Sequence, residues 1–183
     1  MPKYSMEVQR IFLFTSTTPL SVVTEDVLMA ESSLIVKDSF FVGNKVSFLG
    51  AGDGGALFVF RTETVVIFNT TFRNCSGSSG GVISAVLCGN ITIKKSQFVE
   101  NNAGYVGEQG FGGGAINLMD CQVIFEETTF QRNTGLLGGA VYLQNGSAAF
   151  KNCYAVDNFA TAQGGFLYGH PEGIKMLLYK TVL

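Results

Sequence analysis

The 183-residue chain predicts an all-β fold, a right-handed parallel β-helix of about five to six coils with a mean repeat of about 28 residues. Three observations carry this prediction. Glycine pairs recur along the chain, an aromatic residue follows each pair at nearly constant distance, and the residues before that aromatic alternate between apolar and polar. The pairs are Gly54-Gly55, Gly80-Gly81, Gly113-Gly114, Gly138-Gly139 and Gly164-Gly165, and the aromatics are Phe41, Phe72, Phe98, Phe130 and Tyr154. From a pair to the next aromatic the chain runs 18, 18, 17 and 16 residues (54 to 72, 80 to 98, 113 to 130, 138 to 154). From an aromatic to the next pair it runs 13, 8, 15, 8 and 10. One arc of the repeat is therefore rigid in length and the other is an elastic loop.

Each coil is read element by element from that alignment. Seven residues before the aromatic stand Leu34, Val65, Ile91, Val123 and Ser147; five before it stand Val36, Ile67, Ile93, Phe125 and Ala149. A period of two marks a strand with these positions inward. Ser39, Thr70, Ser96, Thr128 and Asn152, two before the aromatic, form a small polar column. Asn44, Cys75, Asn101, Asn133 and Asp157, three beyond it, form a second, suited to an amide ladder. After each glycine pair a further strand points Leu57, Ile83, Ile116, Val141 and Leu167 inward, then Val59, Ala85, Leu118, Leu143 and Gly169. The glycines themselves read as corner devices, either for unusual dihedrals or for close approach of neighbouring coils. "GFGGG" at 110–114 lacks the helix and the Lys-Ser/Thr of a phosphate loop.

The whole of 1–183 reads as one domain: 1–33 an irregular or capping coil, 34–170 the regular repeats, and 171–183 an incomplete last coil of a longer chain. Within 24–33, Val27 and Met29 fall on the inward phase; Ile174 and Met176 restart the strand at the other end. A net charge of −2 leaves no basic footprint for nucleic acid. No apolar run approaches the ~20 residues of a membrane helix. Glu7, Gln9 and Arg10 interrupt the N-terminal stretch where a signal peptide would be continuously apolar.

"FVGN" at 41–44, "FVEN" at 98–101, "FQRN" at 130–133, "GGAL" at 54–57, "GGAI" at 113–116 and "GGAV" at 138–141 resemble the repeat of the chlamydial polymorphic outer membrane proteins. "FRNC", "GGVI" and "GGFL" are degenerate copies. The resemblance implies a β-helix of the pectin-lyase-like class and an adhesin displayed outside the cell.

Candidate chemistry is sparse. Cys88 and Cys121 each lie eight residues after a glycine pair, so they stack in neighbouring coils within the ~4.4–6.8 Å a disulfide tolerates. A disulfide and buried thiols both remain open; Cys75 and Cys153 add no zinc spacing. Asn69, Asn74, Asn90 and Asn145 begin N-x-S/T sequences. His170 in "YGHPEG" reads as a solvent-exposed turn residue, because no paired aspartates accompany it as a glycosidase would require. Lys37, Phe68, Lys94, Glu126 and Phe150, then Asp38, Asn69, Lys95, Glu127 and Lys151, form two outer columns in which Lys94 faces Glu126 and Lys95, Glu127 and Lys151 alternate in sign.

The expectation is a non-catalytic surface or secreted segment, needing no cofactor or metal. It would present its loops, 42–53 and 99–112 above all, to a host or surface protein or to a glycan. The alternative is a carbohydrate-active β-helix enzyme, lyase or hydrolase, whose acids converge only in three dimensions.

Overall fold

The structure is a computed structural model that describes residues 5–9, 12–13, 20–23, 33–46, 54–104, 112–170 and 175–179. The chain winds as an all-β, right-handed parallel solenoid in which the coils contribute, in order, to sheets of seven, six, four and six strands among the described residues, the four-stranded one beginning with Ser76–Gly77. Sheet 1 stacks Ser5–Gln9, Ser33–Lys37, Thr64–Phe68, Asn90–Lys94, Gln122–Glu126, Ser147–Lys151 and Lys175–Tyr179. Sheet 2 carries the aromatic column through Phe40–Val42, Thr71–Arg73, Gln97–Val99, Thr129–Gln131 and Tyr154–Val156, with Phe12–Leu13 at its edge. Sheet 3 is short and holds Ser76–Gly77, Asn102–Ala103, Thr134–Leu137 and Phe159–Gln163; sheet 4 holds Leu20–Val23 and the strands that follow the glycine pairs, Leu57–Phe60, Ile83–Val86, Ile116–Met119, Val141–Gln144 and Leu167–Gly169. Every pairing is parallel, and neighbouring strands of sheets 1 and 4 are in register without slippage.

Alternation along each strand sends one set of side chains into a closed core. Leu34, Val65, Ile91 and Val123 form one fully buried ladder and Val36, Ile67, Ile93 and Phe125 the next, as the spacing predicts. Phe41, Phe72, Phe98 and Phe130 stack face to face, with centroids 4.9, 4.9 and 5.2 Å apart. Close, offset rings at the rung spacing contribute beyond their buried area.

The aromatic column does not continue through Tyr154, which is 48% exposed and pairs with Thr129. Ala155 sits beside Phe130 instead, so alignment on the aromatic displaced the last coil by one residue. Counted from Gly138, Ala155 restores the step of 17 found between Gly113 and Phe130. The inward ladder positions of that coil are accordingly Ala148 and Phe150, not Ser147 and Ala149. The small Ala155 is balanced by a large neighbour. Phe166 replaces the Ala or Val that follows the earlier glycine pairs and packs edge-on against Phe130 and Phe150, each at 5.4 Å. Volume is conserved across the coil although the residue types have exchanged places.

Three corners turn each coil, and a single residue in the left-handed region makes each of them. The first corner holds Asp38, Asn69, Lys95, Glu127 and Asn152; the second holds Gly43, Asn74, Glu100, Arg132 and Asp157; the third holds Arg61, Leu87, Asp120 and Asn145. Positive φ is unfavourable for a residue with a Cβ, so a compensating contact is expected at each position. The next residue supplies it. Ser39, Thr70, Ser96 and Thr128 are buried and donate their hydroxyls to the carbonyl two residues back, at 2.6, 2.9, 2.8 and 2.9 Å. Cys153, not Asn152, holds this position in the fifth coil, with its thiol directed at Lys151 O at 3.4 Å.

At the second corner the equivalent residues form the predicted amide ladder. Asn101 Nδ2 donates to Asn133 Oδ1 and Asn133 Nδ2 to Asn158 Oδ1, both at 2.9 Å. Each amide also donates to a carbonyl of the preceding coil, such as Asn133 to Phe98 O at 2.9 Å. Asn158 takes the place given to Asp157 by the spacing, for the same one-residue reason. Asn44 lies buried at the start of the column, where Cys75 interrupts the run of amides.

The glycine pairs act mainly by close approach. A Cβ on Gly81 would lie 2.0 Å from Gly114 O, and one on Gly114 would lie 2.1 Å from Gly139 O. Each coil passes so near the next that no side chain fits between the backbones. Left-handed dihedrals enter the pairs at Gly138 and Gly164.

At the N-terminal end the strand preceding the Phe41 coil is Leu20–Val23, with Leu20 opposite Leu57 and Val22 opposite Val59. The placement of Val27 and Met29 on the inward phase falls outside the described residues. Residues 5–9 and 12–13 hold regular register with 33–37 and 40–41, so this stretch continues the stack as a rung. At the other end Met176 aligns with Ala148 and Leu178 with Phe150, while Ile174 lies outside the described residues.

Candidate binding surface

A closed core leaves only corners, loops and outer sheet faces for chemistry. The corner cysteines are already committed. Cys88 and Cys121 stack in neighbouring coils as expected, directly after the third corner in the column begun by Thr62. All four thiols are free and buried. Cys88 directs its thiol at Val86 O at 3.5 Å, Cys121 at Met119 O at 3.1 Å, and Cys75 at Arg73 O at 3.5 Å, repeating the hydroxyl bond of Ser39 and Thr70. Cys88 N donates to Cys121 Sγ at 3.4 Å. Burial pushes the Cys75 thiol up to about 11 and raises Cys153 as well. The hydrogen bond with Cys88, reinforced by burial, raises Cys121. The same hydrogen bond lowers Cys88, whose thiol is buried against Val59 O and Val86 O. A buried thiol held protonated is a poor nucleophile, as at Cys75, Cys121 and Cys153, and all four sit as sulfur analogues of the corner serines and threonines.

The charged side chains also pair along the stack. Lys94 meets Glu126 at 2.7 Å, as the spacing predicts, and Lys95 approaches Glu127 at 4.0 Å. Lys151 falls in register with Glu126 and not with Glu127, a further result of the one-residue displacement. The second corner adds a ladder the spacing did not reveal: Glu100 accepts from Arg132 at 2.8 Å and lies 3.1 Å from Arg73. Hydrogen bonds from Arg132 and then Arg73 hold Glu100 below its usual range, and one from Lys94 does the same for Glu126. A general acid needs the opposite shift, a carboxyl raised toward neutrality.

The described aspartates do not converge. Asp38, Asp120 and Asp157 are exposed at the first, third and second corners respectively, on different sides of the coil. Asp26 and Asp53 lie outside the described residues. Among the described residues no group of three or more His, Cys, Asp and Glu side chains is placed to hold a metal ion. His170 is half-buried where sheet 4 ends, its backbone N–H donated to Leu143 O at 2.9 Å, so the exposed-turn reading is corrected.

The outer face of sheet 1 carries a shallow concavity. Its middle outward column runs Ile35, Val66, Thr92, Ile124, Ala149 and Leu177. Ser147 and Ala149 are smaller than Gln122 and Ile124 on one side and Lys175 and Leu177 on the other. A shallow groove of about 330 Å³ results, apolar along its floor and rimmed by amide, hydroxyl and ammonium groups. Sequence spacing missed it because outward residues carry no periodic signature; the alternation of large and small side chains within one outward column was its only trace. The arc between the second corner and the glycine pairs carries the loops. Its two longest members extend through 47–53 and 105–111, outside the described residues.

Comparison with known proteins follows the architecture. The family described as right-handed β-helix region matches residues 27–176. The metabotropic glutamate receptor-like protein R of Dictyostelium discoideum is 30% identical over 122 residues, which is 64% of this chain and 7% of that protein. The match therefore spans a small part of that relative's length. No solved structure matches the chain.

Proposed function

The chain belongs to the right-handed β-helix family, and from that premise we propose that it is a non-catalytic scaffold displayed outside the cell, presenting its loop arc to a protein or glycan. The observation that carries the reading is the commitment of its reactive side chains to the stack. The thiols donate to corner carbonyls, the amides of Asn101, Asn133 and Asn158 bond one another, and Glu100 and Glu126 are neutralised by basic neighbours. What varies from coil to coil is the length of the loop arc, where recognition can change without disturbing the ladders.

A receptor-like relative supports display at a surface, as does the resemblance to the chlamydial repeat, whose members are adhesins. Both likenesses concern the scaffold and leave the ligand to the loops. Incubation of the purified chain with polygalacturonate, alginate and chitin, with and without calcium, is expected to yield no cleavage. Binding to cell-surface protein or glycan arrays should fall when loop residues are replaced. Saccharide turnover that disappears on His170→Ala, or on substituting one aspartate while the fold survives, would establish the carbohydrate-active alternative instead.

A further inference from the structure

Four asparagines begin N-x-S/T sequences: Asn69-Thr70-Thr71, Asn74-Cys75-Ser76, Asn90-Ile91-Thr92 and Asn145-Gly146-Ser147. All four are exposed. Asn69, Asn74 and Asn145 are left-handed corner residues, and Asn90 opens the strand Asn90–Lys94. The buried asparagines behave differently. Asn44, Asn101, Asn117 and Asn133 are followed two residues on by Val46, Ala103, Met119 and Gly135, none of which carries a hydroxyl. Chance placement in a chain rich in Ser and Thr would ignore burial; here the acceptor sequence falls on exposed amides and spares the buried ones.

Position around the coil adds a second regularity. The four sites lie on the arc that runs from the third corner across sheet 1 and the first corner to the second corner. None lies on sheet 3, on its loops within the described residues, or on sheet 4. Asn90 lines the sheet 1 groove itself.

We propose that Asn69, Asn74, Asn90 and Asn145 are N-glycan acceptors whose glycans cover the sheet 1 face and its groove, leaving the loop arc and sheet 4 as the bare face for recognition. The proposal rests on the displayed, extracellular reading above, because the modification requires a secretory route. In the transfer, the Asn Nδ2 forms a bond to the anomeric carbon of the reducing-end sugar of a lipid-linked oligosaccharide pyrophosphate. The bond from that carbon to the pyrophosphate oxygen breaks, the lipid pyrophosphate leaves with the electron pair, and the amide loses one proton. One N–H remains on each modified amide. Asn69 Nδ2, which donates to Asp38 Oδ1 at 2.5 Å, thus keeps one hydrogen as a donor.

The test uses the full-length protein isolated from its own cells. Enzymatic release of N-glycans in ¹⁸O-water converts each glycosylated Asn to ¹⁸O-labelled Asp, which peptide mass spectrometry reads site by site; protease accessibility on intact cells reports display in parallel. Label at Asn74 and at the three sites of the covered face, Asn69, Asn90 and Asn145, is the expected result. Unlabelled asparagine at these three in a chain exposed on the cell surface would overturn the glycan-covered face while sparing the scaffold reading. Unlabelled asparagine in a chain sheltered inside the cell would overturn both. Label at Asn74 alone, on the border of the loop arc, would refute the assignment of a covered face to sheet 1.

Discussion

At the residue scale the last full coil shows how this solenoid tolerates change. Ala155 stands where four phenylalanines precede it, and Phe166 stands where the earlier coils place Ala or Val. The two substitutions compensate because both side chains fill the same region of core beside Phe130 and Phe150. Ala155→Phe alone should overpack that region and cost about 1–3 kcal/mol, and Phe166→Ala alone, at a half-buried position, should cost less than the ~3–5 kcal/mol of a fully buried phenylalanine. The double variant should recover part of the loss, with a coupling of about 0.5–3 kcal/mol. Denaturant melts of the four proteins in the cycle measure it, and strictly additive losses would show that the exchange of volumes is coincidental. A residue aligned by chemical type alone misleads here. Tyr154 matches the column by aromaticity but fails it by position, whereas the distance from the glycine pair points to Ala155.

At the scale of the element the rigid arc and the loop arc differ in what fixes their length. Between Gly114 and Phe130 every strand residue has a partner in the coils on both sides, and the corners admit one left-handed residue each. Deleting two residues there would draw a strand out of register with both neighbours and strand a corner. Shortening 103–110 by two should change only the closure of a loop, an entropy term that varies slowly with length. The expected outcome is loss of the cooperative transition in the first variant and a melting temperature close to that of the parent in the second, followed by circular dichroism; equal losses would refute the distinction. This asymmetry was legible in the sequence as the contrast between steps of 16–18 and of 8–15 residues. The strands, the buried ladders from Leu34 to Phe130 and the asparagine column were legible for the same reason, since each repeats at fixed distance from a glycine pair. The corners were not, because Asp38, Lys95, Leu87 and Arg61 share a backbone conformation and no side-chain chemistry. Nor was the sheet 1 groove, which depends on side-chain size at outward positions that carry no core constraint.

At the scale of the molecule each coil touches only the coils beside it, so stability should vary along the axis instead of belonging to the fold as a unit. The central rungs of sheet 1, Asn90–Lys94 and Gln122–Glu126, have a paired strand on both sides and bury Ile93 and Phe125 completely. The rung Lys175–Tyr179 pairs on one side, and Leu177, Leu178 and Tyr179 are exposed at 59%, 43% and 55%. Phe159 in sheet 3, at 60%, belongs to the same end. Opening this end breaks one interface, whereas opening the middle breaks two and exposes the phenylalanine stack. Native-state hydrogen exchange should therefore show the slowest amides at 91–93 and 123–125 and the fastest at 167–169 and 175–179, with protection graded between them. Phe98→Ala, which removes a ring stacked on both Phe72 and Phe130, should accelerate exchange most in its own coil and the two adjoining ones. Uniform protection along the chain, or a Phe98→Ala effect of equal size at every rung, would mean that the coils unfold together and that nearest-neighbour stacking does not set the stability of this molecule.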